Sequence, residues 1–161
     1  MPRREVHNAT IEDLMMIGSW LCAADRLELA VTRDPDDYES LALDAWRSPI
    51  RRVVVEEASP VFAFGANPIC EDFAMVWGFK TERGWASIGT VTKHINRIMI
   101  PELRAMGIRR AACFVHPDNT RSQKWLALLG FVSKATLQGF GPRREDLLLF
   151  QRDEPDAPAI H

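Results

Sequence analysis

Acid–base chemistry is the reaction type for which this sequence offers the most side chains. Proton transfer to or from a reacting group needs a carboxylate or an imidazole held beside it. Glu71 and Asp72 stand at the start of a predicted strand, and His116 directly follows another. Glu71 and His116 are therefore the catalytic candidates, although an ordinary surface position is the commoner explanation for such residues. The other possible bases are Glu56, Glu57 and His94.

Other site chemistries find little support. The three cysteines, Cys22, Cys70 and Cys113, form no CxxC pair, which excludes a disulfide framework and a zinc ribbon. Cys113 and His116 could ligate a metal but have no companion ligands, so we expect no metal site. Neither a nucleophile elbow nor a Walker loop is present.

Composition and charge narrow the class of protein. The 161 residues, 47% of them hydrophobic, suit one domain with a substantial core. A formal net charge of −2 argues against a generally basic nucleic-acid binder, so no nucleic-acid partner is expected. No apolar run is long enough for a membrane span, and no signal peptide is recognisable. We expect a soluble, intracellular domain.

Hydrophobic periodicity predicts alternating helices and strands. Thr10 and Asp13 form a capping-box pattern at the start of a helical stretch. Val53–Val55 is a β-branched strand centre. The first half is predicted to contain helices over 10–29 and 36–46, then strands over 51–57, 61–64 and 73–79.

The second half begins with a long helix over 91–106. Gly107 is placed to end that helix, and Pro101 inside it predicts a kink or two short helices. Thr120 and Gln123 form a second capping box. The remaining predicted elements are a strand over 109–115, a helix over 121–129, and strands over 131–138 and 147–151.

This element order predicts an α+β fold, an α/β mixed sheet with helices on its faces. The three successive strands indicate an antiparallel meander. The strand–helix–strand unit over 73–115 predicts a parallel pair joined by a right-handed crossover, with a crevice at the carboxyl ends of its strands. Residues 1–152 are expected to be one domain and residues 153–161 a disordered tail.

The predicted order resembles that of the GNAT (GCN5-related N-acetyltransferase) superfamily over residues 50–152. Its most specific match is the segment 119–131, in which Asn119 precedes a helix that Gly130 and Phe131 follow. Within the superfamily, the chain is most similar to a divergent group encoded by short-tailed bacteriophages, described as internal virion proteins or as acetyltransferases. That similarity extends to residues 70–77 and 147–151.

The resemblance implies acetyl-CoA as cosubstrate and an amine as acetyl acceptor. A base takes the proton of the attacking amine, and an acid protonates the leaving thiolate. In this family the third meander strand offers backbone groups to pantetheine, and the start of the next helix holds the pyrophosphate. The cofactor-binding residues implied in this way are Val76, Trp77, Arg83, Gly84, Gly89, Thr90 and Asn119.

Two departures from the family pattern leave the function open. Arg83, Gly84 and Gly89 lack the compact spacing of the family's pyrophosphate loop and are equally compatible with a plain loop before a helix. The position of the family's tyrosine acid is occupied by Leu126, which cannot donate a proton.

We therefore carry two hypotheses. The first is a cytoplasmic N-acetyltransferase whose partners are acyl-CoA and an unknown amine. The second is a catalytically inert GNAT-fold phage internal virion or assembly protein, whose partners are virion proteins and which exposes an apolar patch. Candidates for that patch are Trp20, Trp46, Trp85 and Phe140. A gap between strands 73–79 and 109–115, ending at the peptide groups of 84–90, would favour the first.

Overall fold

The computed structural model describes residues 2–155, which form one seven-stranded sheet with helices on both faces. In chain order the elements are β1 (Arg4–Asn8), α1 (Ile11–Ser19), α2 (Ala23–Leu29), α3 (Tyr38–Trp46), β2 (Ile50–Glu56), β3 (Ser59–Cys70), β4 (Phe73–Lys80), a 3₁₀ turn (Glu82–Ser87), α4 (Ile88–His94), a π turn (Ile95–Met99), α5 (Ile100–Ala105), β5 (Arg110–Val115), α6 (Thr120–Leu128), β6 (Val132–Leu137) and β7 (Leu147–Asp153).

The sheet order is β1-β2-β3-β4-β5-β7-β6. Strands β2, β3 and β4 form the predicted antiparallel meander, and β4 runs parallel to β5, as the strand–helix–strand pattern indicated. The mixed α+β class is confirmed. No helix among residues 2–155 is long and apolar enough to cross a bilayer.

Each face of the sheet buries its own apolar layer. On one face, α1 and α3 pack Leu14, Ile17 and Leu41 against Val53 and Ala63. On the other, the continuous helix formed by α4, the π turn and α5 covers β2–β4, and α6 packs beside it over β5 and β7. The two faces therefore carry different helices, with the junction of β4 and β5 between them.

Two N-terminal predictions were wrong. The polar start of the chain forms an edge strand, β1, which pairs antiparallel with β2. The helix predicted over 10–29 is two helices, because the chain leaves helical geometry at Trp20 and the Cys22 N–H donates to the Lys80 carbonyl at 2.8 Å. The capping box of Thr10 and Asp13 is confirmed.

The strand predicted over 61–64 is much longer, since β3 extends to Cys70 through Gly65 and Pro68. Gly65 is needed there, because a Cβ atom would lie 2.2 Å from the Ile50 carbonyl oxygen. Pro68 is tolerated because the pairing with β2 has ended at Ala66, so this part of β3 is an edge.

The long helix predicted over 91–106 is two short α-helices, α4 and α5, joined by the π turn that lies just before Pro101. The Ile100 N–H bonds to the Ile95 carbonyl, five residues back. The wider turn accommodates a proline ring that would clash with the α-helical i−4 carbonyl. Gly107, at φ 81°, follows the helix end as predicted.

Two further boundaries differ from prediction. Asn119, not Thr120, caps α6, because its side-chain oxygen accepts from the Ser122 N–H at 3.3 Å. Strand β7 extends to Asp153, and the Glu154 carboxylate bonds to Arg104 at 2.8 Å, so the predicted tail does not begin at residue 153. Residues 156–161 of that tail lie outside the described residues.

Candidate active site

Strands β4 and β5 separate after three residue pairs. Their parallel ladder joins Phe73–Met75 to Arg110–Ala112 and then ends, although β4 continues to Lys80 and β5 to Val115. The gap therefore widens toward the carboxyl ends of the two strands, where the sequence predicted a crevice.

The gap leaves peptide groups in the middle of the sheet without a strand partner. Every second residue of a strand turns its N–H and C=O to the same side. The Thr81 N–H bonds to Val61 in β3, and the Lys80 N–H points the other way. By this alternation Gly78 of β4 and, on β5, Phe114 turn their peptide groups into the gap. Both residues are exposed, with Phe114 at 40%.

A cavity of about 450 Å³ passes through the gap and reaches both faces of the sheet. Its walls are mostly apolar and its peptide groups come from the strand edges. Wall residues include Phe62, Val76, Trp77, Gly78, Cys113 and Leu126. A narrow apolar cavity edged by peptide donors and acceptors suits an extended ligand that itself carries amide groups.

Helix α2 places two carboxylates at the wide end of the gap. Asp25 and Glu28 are three residues apart and so share one face of α2. Asp25 accepts from the Lys80 backbone N–H at 2.8 Å, and Glu28 accepts from the His116 backbone N–H at 3.0 Å. Each carboxylate thus bonds to a peptide group at the end of one separated strand.

Asp25 also pairs with the Lys80 side chain, whose Nζ lies 3.3 Å from both carboxylate oxygens. Both side chains are almost fully buried, at 6% and 3% exposed. Removing one charge of a buried ion pair is costly. Lys80 therefore has a structural role as the counter-ion of Asp25.

Glu28 is the carboxylate with the environment of an acid–base group. Its Oε2 accepts from the His116 N–H and from the Asn119 side-chain amide at 2.9 Å. The residue lines the cavity, and Oε1 has no bond among the described residues. Burial raises the pKa of Glu28, and the bonds from Asn119 and His116 only partly offset this. A carboxylate with a raised pKa, facing a cavity, is a candidate general base.

The buried cysteine in the cavity wall is not a nucleophile. Burial raises the pKa of the Cys113 thiol to about 12, so the thiolate needed for attack is scarce at neutral pH. Burial likewise raises the pKa of Cys22 to about 11. This geometry favours direct transfer to an acceptor over a cysteine-bound intermediate. Within residues 2–155 no three His, Cys, Asp or Glu side chains lie close enough to hold a metal ion.

Comparison with known proteins places this geometry in a known fold. No family model matches the sequence, and no curated protein matches it significantly. Solved structures do match. They include a GNAT superfamily phosphinothricin acetyltransferase from Sinorhizobium meliloti in complex with acetyl-CoA (15% identity, TM-score 0.70, 98% of this chain and 92% of that one).

A second match is yncA from Salmonella typhimurium, solved with its cofactor acetyl-CoA, at 16% identity and a TM-score of 0.70 over 98% of both chains. A third is an N-acetyltransferase from Staphylococcus aureus, at 16% identity and a TM-score of 0.66 over 94% of this chain and 98% of that one. The chain has the GNAT fold.

Only part of the predicted cofactor set lies at the gap of this GNAT fold. Val76 and Trp77 line the cavity, and Asn119 contacts it through Glu28. Arg83 turns away and bonds to Glu56 at 2.9 Å. The other members of the predicted pyrophosphate segment, Gly84, Gly89 and Thr90, do not line the cavity.

The predicted catalytic pair is not brought together. Glu71 is exposed in the β3–β4 turn, at the narrow end of the gap, where β4 and β5 are still paired. His116 lies at the wide end with its Nδ1 accepting from the Asp118 N–H at 3.0 Å, so the neutral ring carries its proton on Nε2.

The remaining base candidates do not line the cavity. Glu56 bonds to Arg4 and Arg83, Glu57 accepts from the Arg3 backbone N–H, and Asp72 pairs with Arg110. His94 packs edge-on against Phe64, and its buried Nε2 has no hydrogen bond among the described residues.

Sequence reasoning missed Asp25, Glu28, Lys80 and Gly78. The first two had a usable signal, since carboxylates three residues apart on a helix share a face. Nothing in the spacing indicated that this face meets the ends of β4 and β5, because the contact joins Glu28 to residues 88 and 91 positions away. Leu126, at the family's tyrosine position, is 8% exposed and packs in the core.

Proposed function

We propose that this protein is an N-acyltransferase that binds acetyl-CoA in the gap between β4 and β5 and transfers its acetyl group to an amine. The observation that supports this most directly is the end of the β4–β5 ladder at Met75 and Ala112, with Gly78 and Phe114 turned into an open cavity. Two structures of the same fold hold acetyl-CoA, which agrees with the proposal.

The residues present fit the pantetheine arm of the coenzyme. That arm is linear and carries amide groups, which are suited to the peptide groups of Val76, Gly78 and Phe114. The apolar walls fit its methylene segments. The bound group would supply a thioester carbonyl, open to attack by an amine.

Glu28 is our candidate for the general base. The residue lines the cavity, and its Oε1, which has no hydrogen bond among the described residues, would accept the proton of the attacking amine as the new C–N bond forms and the C–S bond breaks. The leaving thiol has an ordinary pKa near 8.5, so its thiolate departs without a strong acid and takes a proton from water. The absence of a tyrosine at position 126 is therefore compatible with turnover.

His116 and Asn119 are positioning residues in this proposal. Each donates to Glu28 Oε2, which fixes the carboxylate and leaves the other oxygen for proton transfer. We propose that the seven-stranded sheet and its helices form one domain that works in the cytoplasm, where acyl-CoA is available. The acceptor is an amine that reaches the α2 side of the gap.

The alternative is a catalytically inert GNAT-fold protein of a phage virion or its assembly. It is favoured by one observation, that the predicted pyrophosphate segment does not line the cavity. Exposed aromatic side chains at Trp20, 75% exposed, and Phe140, 54% exposed, would then serve contacts with virion proteins. The similarity to phage proteins noted in the sequence belongs to this alternative.

Two measurements separate these functions. Acetyl-CoA at millimolar concentration should raise the melting temperature, because a ligand bound to the native state alone stabilises it. Release of free thiol from acetyl-CoA, followed with a panel of primary amines, should depend on the amine. No thermal shift and no amine-dependent release would contradict the proposal, and recovery of the protein from purified particles would then support the alternative.

A further inference from the structure

The groups available to bind acyl-CoA in this chain lie along the gap and not at the start of α4. The inference that follows rests on the proposed function. We propose that the acyl donor is recognised through its pantetheine thioester arm alone and that its nucleotide remains outside the gap in solvent. Three observations on the segment between β4 and α4 carry this.

First, two peptide N–H groups of that segment already have partners within it. Residues 82–87 form a 3₁₀ turn, in which the Gly84 N–H bonds to the Thr81 carbonyl at 2.9 Å. The Ile88 N–H bonds to the Trp85 carbonyl. Gly84 is required for packing, since a Cβ atom there would lie 2.4 Å from the Val61 carbonyl oxygen. This glycine therefore brings the backbone close to β3 rather than to a phosphate.

Second, side chains close the route from the cavity to that segment. The Trp85 ring lies between two cations, with Lys80 Nζ 4.0 Å and Arg121 Cζ 4.1 Å from its centre. Beside it, the Trp125 indole donates to Thr92 Oγ1 at 2.8 Å and so joins α6 to α4. The cavity is lined by Lys80 and Trp125 but by none of residues 81–94.

Third, Lys80 and Arg83, the two cations that would face a diphosphate at the start of α4, already form ion pairs. Lys80 pairs with Asp25 inside the protein. Arg83, the residue that the resemblance assigned to phosphate, bonds to Glu56 together with Arg4. Releasing Lys80 for a phosphate would leave the buried Asp25 carboxylate without its counter-ion, and releasing Arg83 would remove one of the two arginines bonded to Glu56.

Two glycines offer a matched pair of variants. A Cβ atom at Gly78 meets Phe62 at 3.4 Å, an ordinary contact, so valine there adds side-chain volume at a position that lines the cavity. A Cβ atom at Gly89 meets no atom within 4 Å, so valine there leaves the fold undisturbed. Gly78→Val should obstruct the pantetheine arm, whereas Gly89→Val alters only the start of α4, where a diphosphate would lie in the family arrangement.

The experiment compares dissociation constants of S-acetyl-pantetheine and acetyl-CoA by calorimetry with the full chain. We expect the two constants to agree within about threefold, Gly89→Val to leave both unchanged, and Gly78→Val to weaken both by at least about tenfold. Acetyl-CoA binding more than about thirtyfold tighter than S-acetyl-pantetheine, with that advantage lost in Gly89→Val, would overturn the inference and leave the proposed function intact. Binding of neither ligand would overturn both. The wild-type ratio alone decides the matter if Gly78→Val does not fold.

Discussion

The Glu28 side chain combines three properties: its Oε2 accepts from two donors, the residue lines the cavity, and burial raises its pKa. Glu71 is exposed and does not line the cavity, although its sequence position beside a strand made it a catalytic candidate. Whether a carboxylate can act as a general base depends on the groups that surround it. Those groups come from distant parts of the chain.

Replacing the proposed base tests this directly. Glu28→Gln keeps the side-chain shape and an acceptor oxygen but cannot take a proton, so we expect kcat to fall by about 100-fold or more. Acetyl-CoA binding should stay within about twofold of wild type by calorimetry. In the wild type, kcat should rise with pH as Glu28 deprotonates, at higher pH than for an ordinary glutamate, and the variant should lose this limb.

Glu71→Gln is the matched control, because it makes the same chemical change at an exposed position beside the closed end of the gap. Its kcat should equal that of the wild type. A large loss in Glu71→Gln with none in Glu28→Gln would show that the reacting centre lies elsewhere.

The buried pair of Asp25 and Lys80 makes a separate prediction about stability. Lys80→Met leaves the Asp25 carboxylate buried without its counter-ion, and we expect a loss of about 3 kcal/mol in the free energy of unfolding, measured with urea. The double variant Asp25→Asn, Lys80→Met should recover most of that loss. A double variant as unstable as Lys80→Met would mean that the charges are not coupled.

At the scale of elements, the separation of β4 and β5 should be visible in amide hydrogen exchange. Gly78 and Phe114 turn their N–H groups into the gap, whereas the neighbouring Phe79 and Val115 bond outward to β3 and β7. We expect the two gap amides to exchange at least about 100-fold faster than these neighbours, measured by NMR. Acetyl-CoA should slow both. Equal protection of all four amides would mean that the gap is closed in solution.

Element boundaries were predictable where local chemistry decides them and not where a distant contact does. Thr10 with Asp13, and Gly107 after the long helix, gave correct ends because caps depend on a few adjacent residues. The extension of β3 past Pro68 and the break before α2 depend on pairing with other strands, which local pattern does not contain. The π turn belongs to the same class, since Pro101 signals an irregularity but not its form.

The stability of the whole molecule should depend on pH, because folding lowers the pKa of some carboxyl groups and raises that of Glu28. Hydrogen bonds from Arg4 and Arg83 lower the pKa of Glu56, and those from Arg104 and Arg152 lower that of Glu154. Their stabilisation is complete above the ordinary carboxyl pKa and is lost as pH falls toward the lowered values. Glu28 acts in reverse: its raised pKa means that stability falls as pH rises from the ordinary value through the raised one.

Urea unfolding between about pH 3 and about pH 8 tests these signs. Glu154→Gln should flatten the acid side of the stability curve and cost about 1 kcal/mol at neutral pH. Glu28→Gln should instead remove the decline toward neutral pH. A Glu28→Gln curve parallel to the wild type throughout would contradict the raised pKa.

The overall architecture was predictable because it depends on the order of helices and strands, which periodicity and turn residues specify. The GNAT resemblance, carried by Asn119 and the Gly130–Phe131 pair, located the correct fold. Of the residues predicted from the sequence, Val76 and Trp77 of β4 line the cavity, and His116 and Asn119 bond to Glu28 at its wide end. The other half of the site comes from α2, whose approach to the strand ends depends on three-dimensional packing rather than on spacing.

The short ladder between β4 and β5 has a mechanical consequence. Only three residue pairs join a four-stranded leaf, β1–β4, to a three-stranded leaf, β5–β7. The leaves are also linked by Asp25 and Glu28 of α2, by the Trp125–Thr92 bond between helices and by the Phe62–Trp125 ring contact. A ligand bound between the leaves would restrain their relative motion. After the ligand leaves, the two leaves would flex about the narrow end of the gap.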